Sequence, residues 1–353
     1  MRIAGKNILI VSPETWGDNY VSKHHYAIAL AKKGNNVFFL NPPNKSPLFK
    51  RQILEGLHVI SHRPKFFGLS RMPKFISALL IKREFFGLEE ALSEKMDIIW
   101  NFDSSRFFNL RAIPDRVYKI CHIVDLNQNI QRSLLASSSN ICFGTTRYII
   151  DELIKSNRNS HKVGHGYNHS ELRSNDFFFQ MPGKNKLKAL YMGNLSMKYI
   201  DWDVLYESAV MHPGLDFIFV GPDGRSNLGE NLFDLTKEKI KELDNVYFQK
   251  PVHSKNIPQL LKMADILILA YKEEFHKDQA APHKIPEYCA SGKKILATYT
   301  EEYEHESSIF MSKRNKEYPS LFSKVLQEPN ESSEFIPVTY EERIFQIEEL
   351  INV

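Results

Sequence analysis

The chain of 353 residues is 42% hydrophobic and 25% charged, enough apolar material for two ordinary domains and too much for a disordered or fibrous protein. Glycine (16) and proline (17) stand near average usage, and no apolar run approaches the roughly 20 residues needed to cross a bilayer, which predicts a soluble globular protein. The opening MRIAGKNILIVSP breaks at Pro13 with no small-residue cleavage pattern, and Cys121, Cys142 and Cys289 are widely spaced. The expectation is a cytoplasmic protein with reduced thiols rather than disulfides or a zinc centre.

The net charge of +4 conceals an asymmetry. Residues 1–168 hold 24 basic and 13 acidic side chains, which leaves 22 and 29 for the remainder, the pattern of two domains with different partners. The excess is densest from Lys45 to Arg83, where nine basic residues meet one acid, Glu55. Phe49, Ile53, Phe66, Phe67, Leu69, Met72, Phe75 and Ile76 are interleaved with them. Such a mixture suits an anionic membrane surface or nucleic acid, and a solvated face over an ordinary core has the same composition.

In chain order, Asn7 to Ser12 reads as a short buried strand, His24 to Lys33 as a helix closed by Gly34, and Val37 to Leu40 as the next strand, a right-handed βαβ unit. Strands at 97–100, 116–121, 141–143 and 162–164, with a helix at 148–156, complete one α/β domain over residues 1–170. Residues 175–185 read as a linker. A second series follows over 185–335: strands at 187–192, 216–220, 246–248, 266–269 and 294–297, and helices at 202–211, 257–263 and 285–290. The last segment, 340–353, is amphipathic through Ile344, Ile347, Leu350 and Ile351. The fold class is α/β, two doubly wound sheets in tandem.

Ligands of such sheets bind at the loops after the strands. The first loop, Ser12 to Gly17, lacks Gly-x-Gly-x-x-Gly, and no Walker lysine loop occurs, which disfavours a dehydrogenase or P-loop enzyme. Trp16 and Gly17 suit a sugar face lying across the loop, or else a turn with a packed tryptophan. Gly193 and Asn194 follow a strand, with Lys198 as a cation for a diphosphate. Asp201-Trp-Asp203 matches the Asp-x-Asp of metal-dependent sugar transfer, but its place at a helix start marks an N-cap instead. In 281–296, Pro282 introduces a helix, Lys284 adds a cation, and the Glu287 carboxylate can accept two ribose hydroxyls; Lys284 and Glu287 also fit a surface i,i+3 pair. His122 and Asp125 follow a first-domain strand, where they can exchange protons or serve as satisfied polar groups.

The stretch Pro282-His-Lys-Ile-Pro-Glu-Tyr-Cys-Ala-Ser-Gly-Lys-Lys-Ile-Leu296 resembles the donor signature Pro-x-Lys-x-x-Glu-Tyr-x-Ala-x-Gly-Lys-Pro-Val of GT-B glycosyltransferases, especially bacterial enzymes of the teichuronic acid type. Ser12 to Leu40, His165-Gly-Tyr-Asn168, Phe219-Val-Gly-Pro222 and Asn245-Val-Tyr-Phe248 fall in the family's order, so the likeness covers nearly the whole chain. It implies two Rossmann-like domains facing a cleft, with the C-terminal helix crossing back to the first, acceptor-binding domain. It also implies retaining transfer from a nucleoside diphosphate sugar to a glycan or lipid-linked acceptor in cell-surface polysaccharide synthesis. No cofactor or obligatory metal and no nucleic acid are expected, and a peripheral site at the inner membrane face is.

By position the resemblance places Glu287 on the ribose and the backbone from Lys250 to Val252 on the base. Gly193, Asn194, Lys198 and Lys284 fall around the diphosphate, and His122 and Asp125 face the donor sugar. His165 falls at the domain junction, within reach of the phosphates. Gln279 stands where the larger retaining group has a second glutamate, and Lys294 replaces a proline. A GT-B-shaped binding protein without turnover is the alternative, and a nucleotide-sugar epimerase a poorer third.

Overall fold

The computed structural model describes residues 2–17, 20–64, 66, 68–126, 130–168, 179–224, 234–253, 256–328 and 337–352. Two compact units divide it, one formed by residues 1–166 with 339–353 and the other by 167–338.

The first unit holds strands β1 (Asn7–Val11), β2 (Asn36–Leu40), β3 (Phe49–Leu54), β4 (Leu57–Ser61), β5 (Ile98–Asn101), β6 (Tyr118–Ile123), β7 (Ile141–Gly144) and β8 (Ser160–Lys162). Among the described residues they form one sheet in the order β3-β4-β2-β1-β5-β6-β7-β8, with β3 antiparallel to β4 and the other pairings parallel. Because strand side chains alternate, Ile8 and Ile10 enter one core with Phe39, Trp100 and Ile120, while Leu9 and Val11 enter another with Phe38, Ile99 and Ile123. Helices cover both faces, so the strands are near-continuous apolar runs. The helices are α1 (Ser22–Lys32), α2 (Lys74–Leu92), α3 (Arg132–Ser137) and α4 (Arg147–Leu153). The C-terminal helix, Tyr340–Asn352, belongs to this unit: Ile344 and Ile347 join the α1-side core, and Glu348 accepts from the Ile3 backbone N–H (2.6 Å) and from Lys33 (2.8 Å).

The second unit holds β9 (Leu187–Met192), α5 (Trp202–Met211), β10 (Leu215–Val220), α6 (Leu235–Ile240), β11 (Val246–Gln249), α7 (Ile257–Lys262), β12 (Ile266–Leu269), α8 (Lys284–Ala290), β13 (Lys294–Thr298), β14 (Ile309–Ser312) and α9 (Tyr318–Gln327). Among the described residues its six parallel strands run β11-β10-β9-β12-β13-β14, the Rossmann order, which reverses between β9 and β12. Fully buried Leu190, Phe217, Phe219, Leu267 and Leu296 centre its core. By the same count the C-terminal helix above is α10.

The apolar runs identify β1, β2, β9, β10, β12 and β13 to within a residue or so. The structure differs at the basic stretch, where it forms the β3–β4 hairpin and the 19-residue α2, neither expected from the sequence. β3 is an edge strand whose Phe49, Lys50, Arg51 and Gln52 are all exposed, so it carries no alternation to read. Lys162 ends β8 rather than beginning a strand, because Cys142 to Gly144 pair with Ser160 to Lys162. Residues 175–178 of the expected linker, and Lys65 and Phe67 of the basic stretch, lie outside the described residues.

Candidate functional site

In the second unit the crevice expected of a doubly wound sheet lies where β9 and β12 diverge. Gly193 follows β9 with φ 151°, and Gly221 follows β10 with φ 154°. The two loops interlock: Gly193 N–H donates to the Val220 carbonyl and Leu195 N–H to the Pro222 carbonyl, both at 2.9 Å. A Cβ on Gly221 would overlap the Gly193 carbonyl, so that position requires glycine on steric and conformational grounds; a Cβ on Gly193 would press on the end of the Lys284 side chain, and its positive φ favours glycine. Lys284, in the first turn of α8, therefore reaches under the loop after β9. It is buried, donates to the Tyr271 hydroxyl (3.2 Å), and lies 5.4 Å from the Tyr191 ring centre. Burial pushes its ammonium down to about 8 despite the opposing pull of Glu287.

The other donor-side residues are distributed around this pair. Asn194 Oδ1 accepts from Ser196 N–H at 2.9 Å and so shapes the loop. Lys198 is exposed, its ammonium 5.5 Å from the Phe275 ring centre. Gln279 is half-buried and bonds through its backbone to the Phe275 carbonyl (2.8 Å). Pro282 is buried one residue before the α8 cap, and Val252 packs half-buried against the core. Glu287 lines an open recess of about 370 Å³ with Tyr167, Asn168, Ile257, Leu261 and Ser291. Asp201 is the N-cap of α5: it accepts from Val204 N–H (3.3 Å) and from Asn315 Nδ2 (2.5 Å). That second bond is inaccessible to sequence reasoning, since the partners lie 114 residues apart.

In the first unit the structure packs two of the candidate residues into the core. Trp16 is 7% exposed and packs against Tyr20, His24 and Phe39 at 4.9 to 5.3 Å, a packed tryptophan rather than a platform for sugar. Beside it Gly17 is exposed, and a Cβ there would meet nothing. His122 is wholly enclosed among Tyr26, Trp100, Phe102 and Phe143; its Nδ1 accepts from Trp100 Nε1 (3.3 Å). Burial, with His165 and Lys23 nearby, pushes it down to about 3, so it is a neutral ring of the core with no surface for a substrate.

Asp125 is exposed and lies 3.6 Å from the buried ammonium of Lys23, which also bonds Glu14 at 2.9 Å. His165 Nδ1 is 2.8 Å from Ser22 Oγ, the Tyr340 hydroxyl donates to the same oxygen (3.1 Å), and Arg343 holds the His165 carbonyl. Lys23, Glu14 and Ser22 were not legible as site residues. The signal for Lys23 is a cation in the first turn of a helix, opposed by the macrodipole unless carboxylates compensate. The basic stretch is outward-facing: Lys50, Arg51, Lys74, Lys82 and Arg83 are exposed, and so are Phe49 (59%), Phe75 (75%) and Leu79 (66%). Among the described residues no helix is long and apolar enough to cross a membrane.

No family model matches the chain. A 118-residue stretch is 26% identical to TuaH of Bacillus subtilis (strain 168), assigned as a teichuronic acid biosynthesis glycosyltransferase. The stretch is 33% of this chain and spans only 28% of that relative. Over 98% of the chain, the fold matches sucrose-phosphate synthase from Thermosynechococcus elongatus (TM-score 0.65, 11% identity, 96% of that chain). It likewise matches Anabaena HepE in complex with UDP and glucose (0.63, 12%, 99% of that chain) and an E. coli trehalose-6-phosphate structure bound with UDP-2-fluoro glucose (0.65, 9%, 99%). The fold is therefore that of the GT-B glycosyltransferases, two Rossmann-like domains in one chain.

Proposed function

We propose that this protein is a glycosyltransferase that takes a sugar from a nucleoside diphosphate donor, a UDP-sugar by the ligands of its structural neighbours, and passes it to a glycan or lipid-linked acceptor. The observation that carries the reading is the packing of Lys284 against Gly193 at the switch point of the second sheet. There a bare backbone and a buried cation converge where a diphosphate would lie. Glu287, lining its recess three residues along the same helix, is the ribose acceptor, and the loop through Val252 is the base contact.

In this reading Lys284, Lys198 and the Gly193-Asn194 backbone stabilise the charge that develops on the leaving diphosphate, and the transfer retains anomeric configuration with no obligatory metal. Asp125, beside Lys23 and Glu14, is the polar group offered to the acceptor side. The exposed cations and apolar side chains of β3 and α2 rest on an anionic membrane and bring a lipid-linked acceptor within reach; the teichuronic acid assignment of TuaH supports a polysaccharide context. The enclosure of His122 favours a second reading, a nucleotide-sugar binding protein without turnover. Calorimetry with UDP and other nucleoside diphosphates tests the donor site: micromolar binding lost in Glu287→Ala is expected, and equal affinity in that variant removes the ribose assignment.

A further inference from the structure

The first unit contains a second pocket, of about 620 Å³, that the donor chemistry does not use. It opens beyond the carboxyl ends of β2, β4 and β5, with β1 between β2 and β5: Pro43 follows β2, His62 follows β4, and Ser105 to Phe107 follow β5. That edge is where doubly wound sheets take ligands, and the 620 Å³ includes space open to solvent. Leu69, Ile81, Phe66 and Phe107 give it apolar walls. At its polar side the His62 and Glu84 side chains are nearly buried, with His62 Nε2 3.3 Å from Glu84 Oε1.

The other ring nitrogen, His62 Nδ1, is buried and has no hydrogen-bond partner among the described residues. With Nε2–H donating to Glu84, His62 Nδ1 presents a lone pair and calls for an O–H donor, and the Glu84 carboxylate beside it is acceptor-only. Arg106 supplies no free cation for an anion: its Nε donates to Asp103 (2.7 Å), Nη1 to the Asn41 carbonyl (2.8 Å) and Nη2 to the Ser12 carbonyl. Phe107 holds φ 45°, a conformation an aromatic residue rarely adopts, and Asn101 Nδ2 fixes it by bonding the Arg106 and Phe107 carbonyls. Backbone strain kept in a pocket wall is common at ligand sites.

From these observations we infer that the pocket binds a neutral sugar, its hydroxyls on His62 Nδ1 and Glu84 and its C–H face on the apolar wall, as the acceptor end of the reaction proposed above. A phosphorylated sugar is disfavoured because Glu84 repels it and Arg106 is already engaged. An aliphatic chain is disfavoured because it leaves His62 Nδ1 unanswered. The inference rests on the transferase reading for the word acceptor, but sugar binding stands or falls by itself.

The test is saturation-transfer NMR on the full chain with methyl glycosides of glucose, galactose, N-acetylglucosamine and N-acetylmannosamine, with glucose 6-phosphate and UDP as comparators. At least one neutral glycoside should show transfer, weakened about tenfold or more in both Glu84→Gln and Ser105→Trp, the second of which blocks the rim from a different element. UDP binding should be unchanged in both. Transfer to no neutral glycoside, transfer that survives either substitution in a protein that still binds UDP or melts cooperatively, or tighter binding of glucose 6-phosphate would overturn the inference. Absence of UDP binding in the unsubstituted protein would instead count against the donor reading, while the glycoside arm still decides this pocket.

Discussion

Lys284 Nζ donates to the Tyr271 hydroxyl across 3.2 Å, joining the first turn of α8 to the second residue beyond β12 and enclosing a cation beneath Gly193. Burial has moved the ammonium from its ordinary 10.5 to about 8, so its charge is held at neutral pH at a desolvation cost. Diphosphate affinity should therefore fall as pH rises from about 7 to 9.5, and Lys284→Met should bind weakly with a flat profile. Titration calorimetry across that range decides it; a flat profile in the unsubstituted protein would detach Lys284 from the phosphates.

The same shift fixes a stability trend. Between about pH 8 and 10.5 the folded state holds fewer protons than the unfolded chain, so this group's contribution makes stability rise with pH in that window and levels off below it. Thermal melts should show unsubstituted protein gaining on Lys284→Met between pH 8 and 10. A constant difference would mean that the lysine titrates normally.

Gly193→Ala and Gly221→Ala test the interlocked loops. Each forces an L side chain into positive φ and into a neighbour, Lys284 for the first and the Gly193 carbonyl for the second. A loss of about 1–3 kcal/mol in each is expected from chemical denaturation, the scale of a strained backbone residue, with nucleotide binding lost in Gly193→Ala. Unchanged stability in both would show that the loops open freely.

How much of this was legible in the sequence follows from range. β1, β9, β10 and β12 are apolar runs buried on both faces, a local property of four to six residues, and the Pro282 to Leu296 stretch carries its spacing in its own letters. Trp16 and His122 looked functional because polar and aromatic residues at strand ends often are. Their enclosure is made by Phe39, Tyr26 and Phe102, which only the folded sheet brings near. His62 and Glu84 meet where Ile60 of β4 shares a core with Ile81 and Phe85 of α2, and neither had a local signal.

Asp201→Ala should cost about 0.5–2 kcal/mol as a lost N-cap, measured by denaturant unfolding. Any turnover of the unsubstituted protein should survive EDTA. Activity abolished by chelation and restored by manganese would reassign Asp201 and Asp203 to a metal.

Phe75, Leu79, Lys82 and Phe86 follow one stripe of α2 and are exposed, with Lys74 and Arg83 beside them. Each cation near an anionic surface contributes about 1 kcal/mol, screened by salt. The protein should float with anionic but not neutral liposomes at low salt, and reversing Lys50, Arg51, Lys74 and Lys82 should lower flotation without changing nucleotide affinity. Equal flotation with both liposomes, or none, would remove the membrane role, and an RNA gel shift without flotation would point to nucleic acid.

The central claim, sugar transfer from a nucleotide donor, is tested most directly by incubating the protein with a panel of UDP-, GDP- and dTDP-sugars and measuring released nucleoside diphosphate with and without a neutral glycoside acceptor. The account predicts release from a UDP-sugar that rises with acceptor and falls at least a hundredfold in Lys284→Met. Nucleotide-sugar binding with no release from any donor, with or without acceptor, would contradict it and leave a binding protein of the same fold.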